Sequence, residues 1–185
     1  MAWIDVIDED SADGELADLY EQIRSSRGKV ANIMKVHSLH PEAMEKHLEF
    51  YLTIMFKRAG LSREQRELVA TVVSSINDCD YCSQHHGEAL HAYWKDEERL
   101  QQLIVDHRSI QLSEADRALV DYAVKLTERP DDMTEDDVQG LRDVGFSDEA
   151  ILNLGLVTGY FNFVNRVAVG LGVEVNPDEV RGYQY

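Results

Sequence analysis

The dipeptide Asn77-Asp78 interrupts a helical segment that contains both cysteines of the chain. Asn and Asp favour helix caps and turns over helix interiors. We therefore expect one helix to end near Ile76 and another to begin near Cys79, running back alongside the first. A single continuous helix would put Glu67 and Cys79 about 18 Å apart. In an antiparallel pair, Glu67 and His86 lie at similar distances from the turn and come level.

The two cysteines are spaced C-x-x-C, and a histidine follows the second of them. Positions i and i+3 of a helix share a face, about 5–6 Å apart, so Cys79 and Cys82 can form a disulfide. His86 lies one turn beyond Cys82 on that face. The segment predicts a dithiol with its own proton carrier, in a relay from Glu67 to His86 to Cys82.

This pattern resembles the AhpD-like alkylhydroperoxidases of the carboxymuconolactone decarboxylase superfamily. Their signature is a glutamate, eleven residues, C-x-x-C, three residues and a histidine, which Glu67, Cys79, Cys82 and His86 match one for one. Residues 28–41, 160–166 and 170–173 are similar to the peroxidase-related branch. Some relatives carry a histidine just before the second cysteine, where this chain has a tyrosine.

The resemblance implies an all-α, AhpD-like helical fold in a single domain over residues 1–185, with the motif core at about 41–94. It implies a thiol-dependent alkyl hydroperoxide reductase that forms trimers or hexamers and needs no cofactor or metal. Cys82 would attack the hydroperoxide, Cys79 would resolve the product, and His86 with Glu67 would carry protons. An external dithiol or protein reductant would recycle the disulfide.

The choice of attacking cysteine depends on two opposed effects. His86 lies one turn from Cys82 and can take its proton, which favours Cys82. Cys79 lies nearest the helix N-terminus, where the macrodipole favours a lower thiol pKa. We expect Cys82 to attack, and the reverse assignment stays open.

Other readings of the same residues have different consequences. Zinc could be bound by Cys79, Cys82, His86 and either Glu67 or His85, although the chain has no second pair of cysteines to complete a usual structural site. A dithiol–disulfide oxidoreductase or adaptor would use the same residues on protein substrates. The decarboxylase chemistry of the superfamily is a further alternative, but those members generally lack C-x-x-C.

Several residues near the motif have no assigned chemistry. Tyr81 is expected to be an aromatic wall, with a hydrogen-bonding role as the alternative. Five other histidines have no assigned chemistry. His85 and His91 are expected to pack or to face solvent, and nothing links His37, His40 and His47 to the motif.

The formal net charge of −17 argues against partners that are polyanions. Nucleic acid and anionic membrane surfaces would be repelled before contact. The first residues, 1–5, have neither a basic nor an apolar signal region, so we expect a cytoplasmic protein. In that reducing compartment, C-x-x-C is catalytic or metal-binding more often than structural.

Helical periodicity runs through almost the whole chain. Pro41 stands where a first helical residue belongs, Ser62 opens a capping box, and Ser113 and Ser147 mark further helix starts. No run alternates long enough to form a sheet, which excludes a thioredoxin fold. The segment 151–171 is apolar but too polar for lipid, so we expect it to be buried in the core or between subunits.

Overall fold

All regular elements in the described part of the chain are helical, which confirms the predicted all-α class. A computed structural model describes residues 2–180, apart from the side chains of 177 and 178. Short 3-10 turns lie at Glu9–Ser11 and Pro130–Asp132. The α-helices form one domain and are α1 (Gly14–Arg27), α2 (Asn32–Lys35), α3 (Pro41–Phe56), α4 (Arg63–Ile76), α5 (Asp80–Trp94), α6 (Glu97–Val105), α7 (Glu114–Glu128), α8 (Glu135–Asp143), α9 (Asp148–Gly170) and α10 (Pro177–Val180).

The helix starts lie where the sequence predicts them. Helix α3 begins at Pro41. The Ser62 hydroxyl accepts from the backbone N–H of Gln65 at 3.1 Å, and the Gln65 side chain accepts from the Ser62 N–H at 3.0 Å. The Ser113 and Ser147 hydroxyls likewise accept from the backbone N–H groups of Asp116 and Ala150, at the starts of α7 and α9. Local side-chain oxygens satisfy the free N–H groups at these helix ends.

The reversal between α4 and α5 is tightly held. Asp78 adopts a left-handed conformation at φ 50°, which Asp tolerates better than most residues. The backbone N–H of Cys79 donates to the Ser74 carbonyl at 3.0 Å. The Asn77 amide donates to Asn162 at 3.1 Å and to Asn165 at 3.0 Å, both on α9. The turn therefore reverses the chain as predicted and is anchored to a third helix.

Helix α4 forms the centre of the domain. It packs against α5, α7 and α9, and every side chain from 66 to 74 is buried. One apolar cluster joins α4 to α3, α7 and α9, and a second joins it to α5, α6 and α7. Since residues 66–74 of α4 are enclosed on all sides, a polar side chain in this part of the helix is shielded from water.

Helix α9 is buried on one face only. Leu154, Val157 and Phe161 are fully buried, whereas Leu152 is 63% exposed and Phe163 51% exposed. A Cβ atom added at Gly155 or Gly159 would meet nothing within 4 Å, so no described helix of this chain approaches them closely. This face of α9 is not buried within the chain, so of the two predicted alternatives, burial in the core or between subunits, only the second remains for it, and it stays a prediction. None of the described helices is both long and apolar enough to cross a membrane.

Candidate active site

Glu67 is a fully buried carboxylate on α4 that contacts Arg63 and His86. Its Oε2 lies 2.7 Å from His86 Nδ1, and its Oε1 accepts from Arg63 Nε at 2.7 Å. Burial would raise the pKa of Glu67, but the charges and hydrogen bonds of His86 and Arg63 bring it below its usual value of 4.5. Glu67 is therefore anionic and fixes the direction of the His86 ring.

Arg63 belongs to this site, although the sequence analysis gave it no role. Its guanidinium stacks on the Phe56 ring, 3.6 Å from the centroid, and pairs with Glu67 one turn along α4. The i, i+4 spacing of Arg63 and Glu67 was the signal available in the sequence. Arg63 keeps the buried carboxylate charged and leaves its second oxygen for His86.

The His86 imidazole projects from α5 between aromatic rings. Its centroid lies 4.5 Å from that of Phe161 and 6.3 Å from that of Tyr51, both edge-on. Because Nδ1 is bonded to Glu67, Nε2 is the ring nitrogen left for proton exchange. The aromatic contacts and the carboxylate together hold the ring in one orientation.

The two cysteines lie at the start of α5 and are joined as a disulfide. Cys79 is the residue before the first helical position, and Cys82 is in the first turn. Their Cα atoms are 5.3 Å apart. Both are buried, at 2% and 4% exposure, against Tyr81 and Ala168.

Cys82 and His86 line one cavity of about 100 Å³. Most of its wall is apolar or aromatic, with contributions from α1, α3, α5 and α9. Cys79 instead lines a separate surface depression with Asp78, Gln84 and residues 172–175. The geometry gives Cys82 access to a molecule in the cavity beside His86.

A chain of hydrogen bonds leads from the cavity wall to α2. The Tyr160 hydroxyl lies 2.5 Å from His47 Nε2, His47 Nδ1 lies 3.2 Å from His37 Nε2, and His37 Nδ1 lies 2.8 Å from the Ile33 carbonyl. The Ile33 carbonyl can only accept, so His37 Nδ1 carries a proton and His37 Nε2 accepts from His47 Nδ1. His47 Nε2 then accepts from the Tyr160 hydroxyl. Every group in this chain is satisfied with both histidines neutral.

Burial governs the protonation of this chain. It lowers the pKa of His47 to about 4, with a smaller effect from the neighbouring His37, and it raises the pKa of Tyr160 well above 10. His47 and Tyr160 are 113 residues apart, so no sequence spacing links them. Because no local spacing indicates this contact, the sequence predicted no role for His37 or His47.

Tyr81 is both an aromatic wall and a hydrogen-bonding residue. Its hydroxyl donates to Glu179 at 2.5 Å and accepts from the Ile33 N–H at 3.2 Å. Its ring lies 4.3 Å from that of His85, and both residues line the cavity. Tyr81 thereby ties α5 to α2 and α10, beyond the wall role that the sequence favoured.

His40 and His91 lie outside this arrangement. His40 caps α3 by accepting from the Ala43 N–H, and His91 lies 3.8 Å from Glu97. Within the described residues, no three His, Cys, Asp or Glu side chains are grouped to hold a metal ion.

The comparisons with known proteins agree with this fold. The model of the carboxymuconolactone decarboxylase family matches residues 41–125. A crystal structure of an uncharacterized peroxidase-related protein from Silicibacter sp. TM1040 is 31% identical, with a TM-score of 0.86, over 97% of this chain and 94% of that one. The chain belongs to the AhpD-like group of the carboxymuconolactone decarboxylase superfamily.

Two more distant members of this fold are also similar to the AhpD-like chain. A peroxidase-related protein with an alkylhydroperoxidase AhpD core, from Ralstonia eutropha JMP134, is 24% identical with a TM-score of 0.87, over 97% of this chain and 94% of that one. The debrominase Bmp8 is 18% identical with a TM-score of 0.72, over 90% and 92%. No curated protein matched the sequence.

Proposed function

We propose that this AhpD-like protein is a thiol-dependent alkyl hydroperoxide reductase. The observation that carries the proposal is that Cys82 and His86 line one cavity while the buried Glu67 holds the His86 ring. A thiol, a proton carrier and an orienting carboxylate are the groups that such a reaction needs. Cys79, on the other side of Cys82, supplies the second thiol.

The reaction balances with these groups alone and an external dithiol. The Cys82 thiolate attacks the outer oxygen of the hydroperoxide, the O–O bond breaks, and the alkoxide takes a proton from His86 to leave as an alcohol. Cys82 is then a sulfenic acid, which condenses with the Cys79 thiol to give the disulfide and water. The dithiol restores both thiols and is itself oxidised to a disulfide.

Lowering the thiol pKa is a small part of this mechanism. A shift from about 8.5 to about 6 raises the thiolate fraction at pH 7 roughly 30-fold. The accompanying loss of nucleophilicity, with a Brønsted slope of about 0.4, removes about tenfold of that gain. Most of the acceleration must come from placing the peroxide and protonating its leaving oxygen, which makes His86 chiefly a general acid.

The burial of both cysteines favours small-molecule partners. Neither cysteine is more than 4% exposed, so both offer little surface to the disulfide of a folded protein. A slender dithiol, such as a lipoyl group, can enter a cavity that a folded protein cannot. This supports the peroxidase over the protein oxidoreductase. A reducing compartment such as the cytoplasm would keep the external dithiol in its reduced form.

The proposal is tested on the reduced protein with one equivalent of cumene hydroperoxide. Intact-mass spectrometry should show the loss of two hydrogens as the internal disulfide forms. Cys79→Ser should stop at a Cys82 sulfenic acid that dimedone traps, whereas Cys82→Ser should give no rapid adduct. A reaction at Cys79 alone would reverse the two roles.

Two further measurements separate the alternatives. Turnover on an organic peroxide is compared with turnover on a protein disulfide, and faster turnover on the disulfide would favour the oxidoreductase. Metal analysis of the purified protein tests for zinc. One zinc per chain, with no reaction of wild type or variants with peroxide, would overturn the enzyme proposal.

A further inference from the structure

The cavity that contains Cys82 has a positive wall in a very acidic protein. The chain has 35 Asp and Glu residues and a net charge of −17. Among the described residues, none of these carboxylates lines the cavity, whereas Arg27 and Lys29 both do. Positive charge on the wall of this cavity, opposite in sign to the net charge of the chain, favours a negative ligand.

Arg27 is the last residue of α1, and its guanidinium is held by aromatic rings. It lies over Tyr51 and Phe56, 5.6 Å and 5.0 Å from their centroids. No described carboxylate lies within 4.0 Å of it, whereas Arg24, one turn earlier, pairs with Glu9 at 2.5 Å. The two rings hold the Arg27 guanidinium in place, and its N–H donors have no described carboxylate partner and can bind an anion.

Arg27 differs in this respect from Arg63, which stacks on the same Phe56 ring. Arg63 is neutralised by Glu67 inside the protein. Lys29 adds positive charge to the cavity wall, and its ammonium donates to the backbone carbonyl of Glu179. Arg27 is thus the cation on this wall whose bidentate donors suit an incoming carboxylate.

Resting on the proposed function, we propose that the hydroperoxide substrate carries a carboxylate that binds Arg27. Its apolar body would lie against Ile33, Met34 and Leu48, with the hydroperoxide at Cys82 and His86. A cavity of about 100 Å³ holds roughly three waters at about 30 Å³ each, so it would enclose a short acyl segment, with the remainder of a longer chain outside it. The substrate class is therefore hydroperoxides of small organic acids.

A matched substrate pair tests this specificity. The kcat/KM for 8-hydroperoxyoctanoic acid is divided by that for its methyl ester, in wild type and variants. We expect the acid to be favoured about tenfold or more in wild type and the ratio to fall to near one in Arg27→Gln, since one charged hydrogen-bonded pair is lost. Arg27→Lys, which keeps the charge but not the fork, should fall between.

Arg108→Gln is the control for the overall charge. Arg108 is exposed on the loop between α6 and α7. Replacing it with Gln changes the net charge by the same amount as Arg27→Gln. It should retain the wild-type ratio of acid to ester. Equal losses in the two arginine variants would mean that long-range attraction, and not a site at Arg27, sets the preference, and would overturn the inference.

A binding measurement keeps this inference separate from the peroxidase proposal. Calorimetry on the unreacted protein should show octanoate binding about tenfold more tightly than octanol, with the difference lost in Arg27→Gln. If octanoate shows no such advantage while cumene hydroperoxide still oxidises the dithiol, the anion site is wrong and the peroxidase stands. If octanoate binds through Arg27 but no peroxide reacts, the peroxidase proposal alone fails.

Discussion

Glu67 Oε2 and His86 Nδ1 lie 2.7 Å apart across the antiparallel pair of α4 and α5. The second oxygen of Glu67 is taken by Arg63, so the carboxylate has no need of water although it is fully buried. This arrangement keeps a proton on Nδ1 of His86 and directs Nε2 away from Glu67.

Replacing Glu67 with Gln should lower peroxidase activity by one to three orders of magnitude, a range typical of losing an orienting carboxylate or a proton-transfer step. Circular dichroism should show an unchanged helix content, with the free energy of unfolding lower by about 1–3 kcal/mol because Arg63 loses its charged partner. Glu64→Gln, an exposed carboxylate on the same helix, is the control. A Glu67→Gln variant that kept more than half the activity would refute the relay.

The neutral His47 should make stability depend on pH. Its pKa is about 4 in the folded protein and about 6.5 when unfolded, so below pH 6.5 the unfolded chain binds a proton that the folded chain excludes. Stability should therefore fall as the pH decreases from 6.5 to 4, by about 2 kcal/mol between pH 7 and pH 5 from this residue.

Urea unfolding of wild type and His47→Gln at both pH values measures that contribution. The variant should lose less stability on acidification, by the same approximate amount. Parallel losses in the two proteins would mean that His47 is not held neutral.

Gly60 should be intolerant of a side chain. It adopts φ +77° between α3 and α4, and a Cβ there would lie 2.7 Å from the Ala150 Cβ on α9. Gly14 has a similar φ of +52° but nothing within 4 Å of its Cβ position. Thermal or urea unfolding should show Gly60→Ala less stable than Gly14→Ala by at least about 1 kcal/mol, the added effect of overpacking. Equal destabilisation of the two variants would mean that backbone strain accounts for the whole effect at Gly60.

The exposed apolar face of α9 should join copies of this chain into a trimer or hexamer. Leu152, Leu156 and Phe163 form this face, which would otherwise stay in water. Light scattering should give a multiple of 21.1 kDa for wild type and a smaller mass for Phe163→Glu. Val105→Glu, at an apolar residue 83% exposed on α6, is the control and should keep the wild-type mass. A wild-type mass of one chain would refute the prediction.

Several helix starts and the reversal that builds the site could be predicted from the sequence. Helix caps and turns depend on contacts between residues a few positions apart, so they can be predicted from local sequence. This applies to the caps at Ser62, Ser113 and Ser147 and to the turn at Asn77-Asp78. The level alignment of Glu67 and His86 follows from that reversal and from the length of a helical turn.

The groups that line the cavity beside Cys82, and the groups bonded to them, could not be predicted from the sequence. Arg27, His47 and Tyr160 come from three helices, and their meeting depends on how whole helix faces pack rather than on any local spacing. The same packing placed Cys82 on the cavity and Cys79 outside it, a distinction that two residues three apart do not carry in sequence. It also left one face of α9 uncovered, because apolar composition requires burial but does not specify the surface that provides it.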